Sequence, residues 1–147
     1  MCIRDSLNIA FLIALIGLFQ EFSYFIGFVP GYDFSWLKPN TRTGTFAYFL
    51  RINGLSAEPA HLALSLLPAF FVAANSFLTK DYIFLKKYKS IFIVLAMILT
   101  FSTSGYIGII STLILLFYNY GKFKNFIVGI LIAVSYTHLT LPTILRV

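Results

Sequence analysis

Two long stretches of this chain carry almost no charge, and they limit the possible fold more than any other feature. Residues 7–19 contain no charged side chain, and residues 59–78 form a second apolar segment. Twenty helical residues span about 30 Å, the thickness of a bilayer core. With 59% hydrophobic residues and a mean hydropathy of +0.88, the chain is typical of an all-α protein that forms a polytopic transmembrane helical bundle.

Both ends of the chain match a sequencing adapter rather than a protein. Residues 1–6 match the translation of one strand of the transposon-end adapter used in DNA library preparation, and residues 134–147 begin with the translation of the opposite strand. Matching strands at opposite ends are not expected by chance. We therefore exclude both ends from the fold and predict that residues 7–133 are a fragment of a single transmembrane domain.

The predicted native part divides into about four to five membrane segments. They cover residues 7–28, 59–78, 91–102, 105–120 and a truncated 126–133. The polar loop at residues 29–57 is interleaved with aromatic side chains, as in an interfacial belt at headgroup depth, and we predict a short interfacial helix within it at residues 45–50. Residues 91–120 are either two short helices around a Ser/Thr-rich turn or one long tilted helix.

Lysine residues set the predicted orientation. Four of them lie in residues 79–90 against a single acid, Asp81, and Lys and Arg are retained in cytoplasmic loops. The loop at residues 29–57 then faces outside, although it also contains Lys38, Arg42 and Arg51. We attribute the net charge of +6 to the loops of a membrane protein rather than to a surface that binds nucleic acid. We therefore expect a lipid bilayer and no nucleic acid as partner.

Polar chemistry is concentrated in the run Arg51–Pro59, at the mouth of the second apolar segment. Proline fits the first turn of a helix, and the residue before a proline avoids the α region, so we place Glu58 at the helix cap. His61 follows one turn later and shares a helical stripe with Glu58 and Ser65. This stripe predicts a polar-lined cavity that opens at the loop, and charged groups at such a place are functional candidates.

Each of these residues also has a purely structural interpretation. Arg51 either binds a ligand or anchors the chain to lipid headgroups. Glu58 is either a proton acceptor or an acid that stabilises the helix start, with or without Arg51 as its ion-pair partner. His61 is either catalytic or an interhelical hydrogen-bonding group. Glu21, an acid within the first apolar segment, either packs near a helix end or against a partner helix, or handles substrate.

The sequence contains no motif of a soluble enzyme. It has no Walker loop, dinucleotide fingerprint, metal-ligand cluster or nucleophile elbow, so we expect no cofactor and no metal. The remaining classes are a membrane enzyme, a polytopic transporter or flippase, and a membrane scaffold. A transporter would carry its polar groups near the midplane of the membrane, whereas here they lie at the external boundary.

The combination of Arg51, Gly54 and the pair Glu58–Pro59 before a membrane helix resembles the O-antigen ligase and polymerase superfamily. The basic loop that follows, and the Ser/Thr-rich turn at residues 99–105, also resemble that family, whose members more often carry an arginine where this chain has Thr103. The Glu-Pro form resembles polymerases more than ligases. The resemblance covers residues 40–120.

This resemblance implies a glycosyltransferase of the bacterial cytoplasmic (inner) membrane, which joins oligosaccharide units linked to undecaprenyl pyrophosphate at the outer face. Neither a nucleotide sugar nor a metal would be needed. Arg51, helped by Arg42, would bind the pyrophosphate, because an arginine fork contacts two phosphate oxygens. A proton acceptor would take the proton of the acceptor hydroxyl; Glu58 is the first candidate and His61 the second. The sugar, the linkage, the oligomeric state and the choice between polymerase and ligase stay open.

Overall fold

The computed structural model describes residues 3–37, 44–46 and 48–121, and the chain separates into two units, Met1–Ile110 and Ser111–Val147. The predicted helical class is confirmed, since most described residues are helical. The helices are α1 (Ile3–Ile26), α2 (Val29–Tyr32), α3 (Pro59–Thr79), α4 (Lys87–Leu99) and α5 (Thr103–Asn119), and the strands are β1 (Gly44–Phe46) and β2 (Phe49–Arg51). A 3-10 turn at Phe34–Trp36 follows α2.

Within the described residues, α1 and α3 are the helices that are long and apolar enough to cross a membrane. They contain 24 and 21 residues, or about 36 Å and about 32 Å of helix. The helices α4 and α5 are shorter, with 13 and 17 residues. Length and composition therefore support two of the four to five predicted membrane segments, and the predicted segment 126–133 lies outside the described residues.

The start of α3 follows the sequence prediction. Pro59 is the first helical residue, and Glu58 is the N-cap in an extended conformation (φ −139°, ψ 152°). Proline is well suited to this place, because the N–H that it lacks would have no partner in the first turn. The helix ends at Thr79, after which Lys80 adopts a left-handed conformation with φ 59°.

The chain after Lys87 forms two helices rather than one. α4 ends at Leu99, α5 begins at Thr103, and Phe101 between them has φ +42°. An aromatic residue rarely adopts a positive φ, so a continuous helix is interrupted here. The hydroxyl of Thr100 donates to a carbonyl in the last turn of α4 at 2.8 Å, which satisfies one of the free acceptors at the helix end.

The loop between α2 and α3 contains a β-hairpin, so the predicted interfacial helix at residues 45–50 is wrong. β1 and β2 pair antiparallel, with Gly44 opposite Arg51 and Phe46 opposite Phe49. Threonine, tyrosine and phenylalanine are enriched in strands, and they make up most of this segment. The hairpin is the exception to the otherwise all-α prediction.

The lysine-rich loop contacts one end of the helices, and the run Arg51–Pro59 contacts the other. Lys89 Nζ lies 2.6 Å from Asn8 Oδ1, which joins the start of α4 to the start of α1. At the other end, the Ile52 N–H donates to the Leu99 carbonyl at 3.3 Å, so the end of α4 meets the run Arg51–Pro59. The lysine-rich loop and this run therefore lie at opposite ends of the helices, which is the arrangement that the predicted topology requires.

Candidate functional site

The loop that contains Arg51 is held against α1 by Gln20, whose side chain is fully buried (0% exposed). Gln20 Nε2 donates to Asn53 Oδ1 at 2.7 Å and to the Tyr32 carbonyl at 2.8 Å. Gln20 Oε1 accepts from the backbone N–H groups of Asn53 at 3.1 Å and Gly54 at 2.9 Å. An amide has two donors and two acceptor positions, and all of them are used, so this one side chain fixes the loop.

The next residue, Glu21, binds the free edge of β2. Its Oε1 accepts from the Leu50 N–H at 3.3 Å, and the Ile52 N–H donates to the carbonyl of Leu99. Buried backbone N–H groups at a strand edge need such partners. The hairpin therefore docks between α1 and α4, and the Leu50 and Ile52 side chains are buried there. This contact gives Glu21 a structural role in the packing of the loop.

Aromatic rings attach the hairpin to the break between α4 and α5. The Phe46 ring stacks on the Phe101 ring with centres 5.1 Å apart and planes at 23°, and the Phe49 ring lies 6.0 Å from the same ring. Such pairs contribute about 0.5–1.5 kcal/mol beyond the area that they bury, which offsets part of the cost of the positive φ at Phe101. The Arg51 loop and the Ser/Thr-rich turn, the two segments that carry the family resemblance, are therefore in contact.

The segment Arg51–Gly54 lies beside α1, well below the end of that helix. Its partners Gln20 and Gly17 are about 9 Å and about 13 Å from the last residue of α1, at 1.5 Å per residue. A Cβ atom on Gly17 would meet Ile52 Cδ1 at 2.9 Å, so glycine permits this close approach. Non-helical backbone at the depth of a membrane helix needs partners inside the protein, and the α1 side chains supply them.

Three side-chain atoms at this place are buried and have no hydrogen-bond partner in the described part of the chain. They are Glu21 Oε2, Arg51 Nε and Asn53 Nδ2. Glu21 is 5% exposed and Asn53 is 1% exposed, whereas Arg51 is half-buried. Buried polar atoms are ordinarily paired. The unpaired acceptor lies on α1, and the two unpaired donors lie on the segment Arg51–Gly54. We therefore treat this place as a candidate binding site.

The residues that the sequence predicted to act together lie in different elements of the structure. Arg51 ends β2, whereas Glu58 caps α3 with an exposed side chain that makes no capping hydrogen bond. His61 is also exposed, on the first turn of α3. Among the residues that the structure describes, no ion pair joins Arg51 to Glu58. Arg42 lies outside the described residues.

The cavity beside the loop differs from the polar-lined cavity that the stripe predicts. An open cavity of about 280 Å³ lies between α1, the loop and α3, and it is lined by Ile13, Ile16, Leu55, Ser56 and Ser65. The lining is mainly apolar, and of the predicted stripe only Ser65 contributes to it. Across the described ranges, no group of three His, Cys, Asp or Glu side chains is placed to hold a metal ion.

Sequence reasoning missed the roles of Gln20 and Asn53. Both lie in segments that were recognised as unusual, but their pairing across 33 residues has no local signal. A side-chain amide in an apolar helix, such as that of Gln20, is costly to bury without hydrogen-bond partners. The sequence therefore indicates that Gln20 has a partner, but it does not indicate which residue that partner is.

Gly54→Ala is expected to lower the free energy of unfolding by about 1–2 kcal/mol, because Gly54 has φ +55° and a left-handed conformation costs other residues this much. Gly44→Ala is the matched control in the same loop. A Cβ at position 44 would meet its nearest atom at 3.8 Å, and the φ there is not positive. Denaturant unfolding of both variants in detergent measures the difference, and equal stability would contradict the conformational argument.

No family model matches this chain, and neither a curated protein nor a solved structure matches it. The resemblance to O-antigen ligases and polymerases therefore rests on the residues of the chain itself, above all Arg51, Gly54, Glu58 and Pro59.

Proposed function

We propose that this chain is an interior part of a longer parent protein, an integral-membrane glycosyltransferase of the bacterial cytoplasmic membrane. The parent polymerises or ligates oligosaccharide units carried on undecaprenyl pyrophosphate, at the outer face. The observation that carries the proposal is Arg51, half-buried beside a membrane-length helix with its Nε buried and unpaired within the described residues. A buried N–H without an acceptor is costly, and a phosphate oxygen supplies an acceptor for the Arg51 Nε–H.

A pyrophosphate leaving group suits such an arginine. The planar guanidinium donates two parallel hydrogen bonds to phosphate oxygens and stabilises the charge that develops as the bond to the sugar breaks. Arg42 is proposed to bind the same pyrophosphate. For the proton of the acceptor hydroxyl, Glu58 and His61 are the candidates at the mouth of α3, and both side chains are exposed there.

The apolar cavity beside the loop supports the lipid part of the proposal. Its lining by Ile13, Ile16 and Leu55 is suited to hydrocarbon, and the two serine hydroxyls add little polarity. A lipid-linked substrate needs a hydrocarbon path next to its phosphate site. This cavity lies beside the loop segment that follows Arg51, since Leu55 and Ser56 line it.

The alternative function is a polytopic transporter or flippase, and one observation favours it. The break between α4 and α5, with Phe101 at φ +42°, is of the kind that discontinuous transporter helices use at their binding sites. The two functions differ in their product. A purified glycosyltransferase forms a new glycosidic bond in detergent, whereas a transporter leaves its substrate chemically unchanged.

The proposal requires the hairpin to face outside and the lysine-rich loop to face the cytoplasm. Tyr48→Cys and Lys87→Cys, each in a parent protein otherwise free of cysteine, test this with a membrane-impermeant maleimide on intact cells. Tyr48 is 86% exposed and Lys87 is also exposed. We expect labelling at position 48 in intact cells and at position 87 only after permeabilisation. The opposite pattern would place Arg51 on the cytoplasmic side and exclude an outer-face reaction.

A further inference from the structure

The side chains of Glu21 and Asn53 each form a hydrogen bond through one polar atom and leave the other polar atom without a partner among the described residues. Glu21 Oε1 accepts from the Leu50 N–H, and Asn53 Oδ1 accepts from Gln20 Nε2. The remaining atoms, Glu21 Oε2 and Asn53 Nδ2, are buried and find no partner among the described residues. The side chains are thus held in place while one acceptor and one donor are left for a ligand.

A hydroxyl group, like a water molecule, can satisfy both atoms. It donates its O–H to a carboxylate oxygen and accepts from an amide N–H. The third unpaired atom, Arg51 Nε, follows Leu50 directly in the chain, and its charge suits a phosphate. A hydroxyl and a phosphate ester are thus the two groups that these atoms suit chemically, and two lipid-linked sugars bring both groups together during transfer.

We propose that Glu21 is the proton acceptor for the acceptor hydroxyl and that Asn53 orients this hydroxyl; this rests on the proposed function. The O–H bond breaks and the proton goes to Glu21 Oε2. The hydroxyl oxygen forms a bond to the anomeric carbon of the donor sugar. The bond from that carbon to the pyrophosphate oxygen breaks, and undecaprenyl pyrophosphate leaves with the electron pair beside Arg51. Glu21 then loses its proton to water.

The structure favours Glu21 over Glu58 for this step. Glu21 contacts the residue next to Arg51 in β2, whereas Glu58 is exposed to solvent and forms no ion pair with Arg51 within the described ranges.

The test compares Glu21→Gln with Asp81→Asn in the purified parent protein, assayed with lipid-linked oligosaccharide in detergent. Glutamine at position 21 retains a carbonyl oxygen for the Leu50 N–H and cannot take a proton. We expect Glu21→Gln to lower kcat by at least about 100-fold with little change in KM and in the melting temperature. Asp81→Asn keeps an oxygen for the Ile83 N–H at an exposed place in the lysine-rich loop, and it is expected to change kcat only a few-fold.

A second variant separates chemistry from packing. Glu21→Asp keeps the carboxylate and is expected to recover at least tenfold more activity than Glu21→Gln, although its shorter side chain packs less well. Equal activity of these two variants, or a fully active Glu21→Gln, would overturn the assignment of Glu21. If instead the wild-type protein forms no glycosidic bond, the proposed function fails, and the role of Glu21 fails with it.

Discussion

Arg51→Lys in the parent protein is expected to remove most glycan transfer while the protein still inserts into the membrane. Lysine keeps the positive charge but loses the planar fork that binds two phosphate oxygens. Loss of one preorganised donor to a developing negative charge lowers kcat by about 10²- to 10³-fold. Measurement of polymer yield and chain length in cells, and of single transfers with purified protein, detects an effect of this size.

The matched control for Arg51→Lys is a cation at the other end of the helices. Lys80→Ala removes an exposed positive charge that follows α3 and is expected to leave transfer within a few-fold of the wild-type level. Arg51→Ala tests the anchoring alternative, because loss of a lipid anchor would lower the amount of inserted protein rather than the rate per molecule. If both Arg51 variants gave the wild-type polymer yield and chain length, Arg51 would not take part in glycan transfer and would be only a lipid anchor.

Gln20→Leu is expected to cause the largest loss of stability among the variants considered. It leaves four groups without partners: the Tyr32 carbonyl, Asn53 Oδ1 and the N–H groups of Asn53 and Gly54. Each buried group that loses its partner costs about 1–3 kcal/mol. With partial relaxation of the loop, we expect a loss on the order of 4 kcal/mol, measured by denaturant unfolding of the chain in detergent.

Asn8→Leu serves as the control on the same helix. Asn8 accepts one hydrogen bond from Lys89 at a partly exposed place, so its loss is expected to cost about 1 kcal/mol or less. Ser56→Cys provides a second readout, because release of the loop in Gln20→Leu should speed the modification of this half-buried position. If Gln20→Leu were no more destabilising than Asn8→Leu, the loop would have to be held by other contacts.

The parts of the fold that local chemistry determines were predictable from the sequence. Proline and the residue before it have narrow conformational preferences, so the start of α3 at Pro59 and the cap at Glu58 followed directly. The interruption near residue 100 was marked by a cluster of serine and threonine. The sequence left the choice between one and two helices open, because it does not reveal the positive φ of Phe101.

The parts that depend on long-range contacts were not predictable. The hairpin β1–β2 is short, and it is stabilised by Glu21, by the carbonyl of Leu99 and by stacking on Phe101, all of which are distant in sequence. Without these partners, alternating aromatic residues at a membrane boundary are as typical of an interfacial helix as of a hairpin. Tertiary contacts decide such cases because the strand preference of short segments depends on their surroundings.

The buried, unpaired polar atoms belong only in part to the residues that the sequence predicted as a site. The run Arg51–Pro59 contains Arg51 and Asn53, and Glu21 was recognised as unusual, yet helical periodicity directed attention to Glu58 and His61. Both are exposed on α3, whereas the buried polar atoms gather where α1 meets β2. A one-dimensional stripe shows which residues share a helix face, but it does not show which helix packs on that face.

Binding of undecaprenyl pyrophosphate, with undecaprenyl monophosphate as the comparison, tests the central claim about Arg51 most directly. The parent protein in lipid nanodiscs, as wild type and as Arg51→Lys, is titrated with each lipid. Charge-assisted hydrogen bonds contribute about 1.5–3 kcal/mol each, or a factor of about 10 to 100 in Kd. We predict that the wild type binds the pyrophosphate at least tenfold more tightly than the monophosphate and that Arg51→Lys loses this preference. Equal affinity of the wild type for both lipids, or a preference that Arg51→Lys retains, would contradict the assignment of Arg51 to the pyrophosphate.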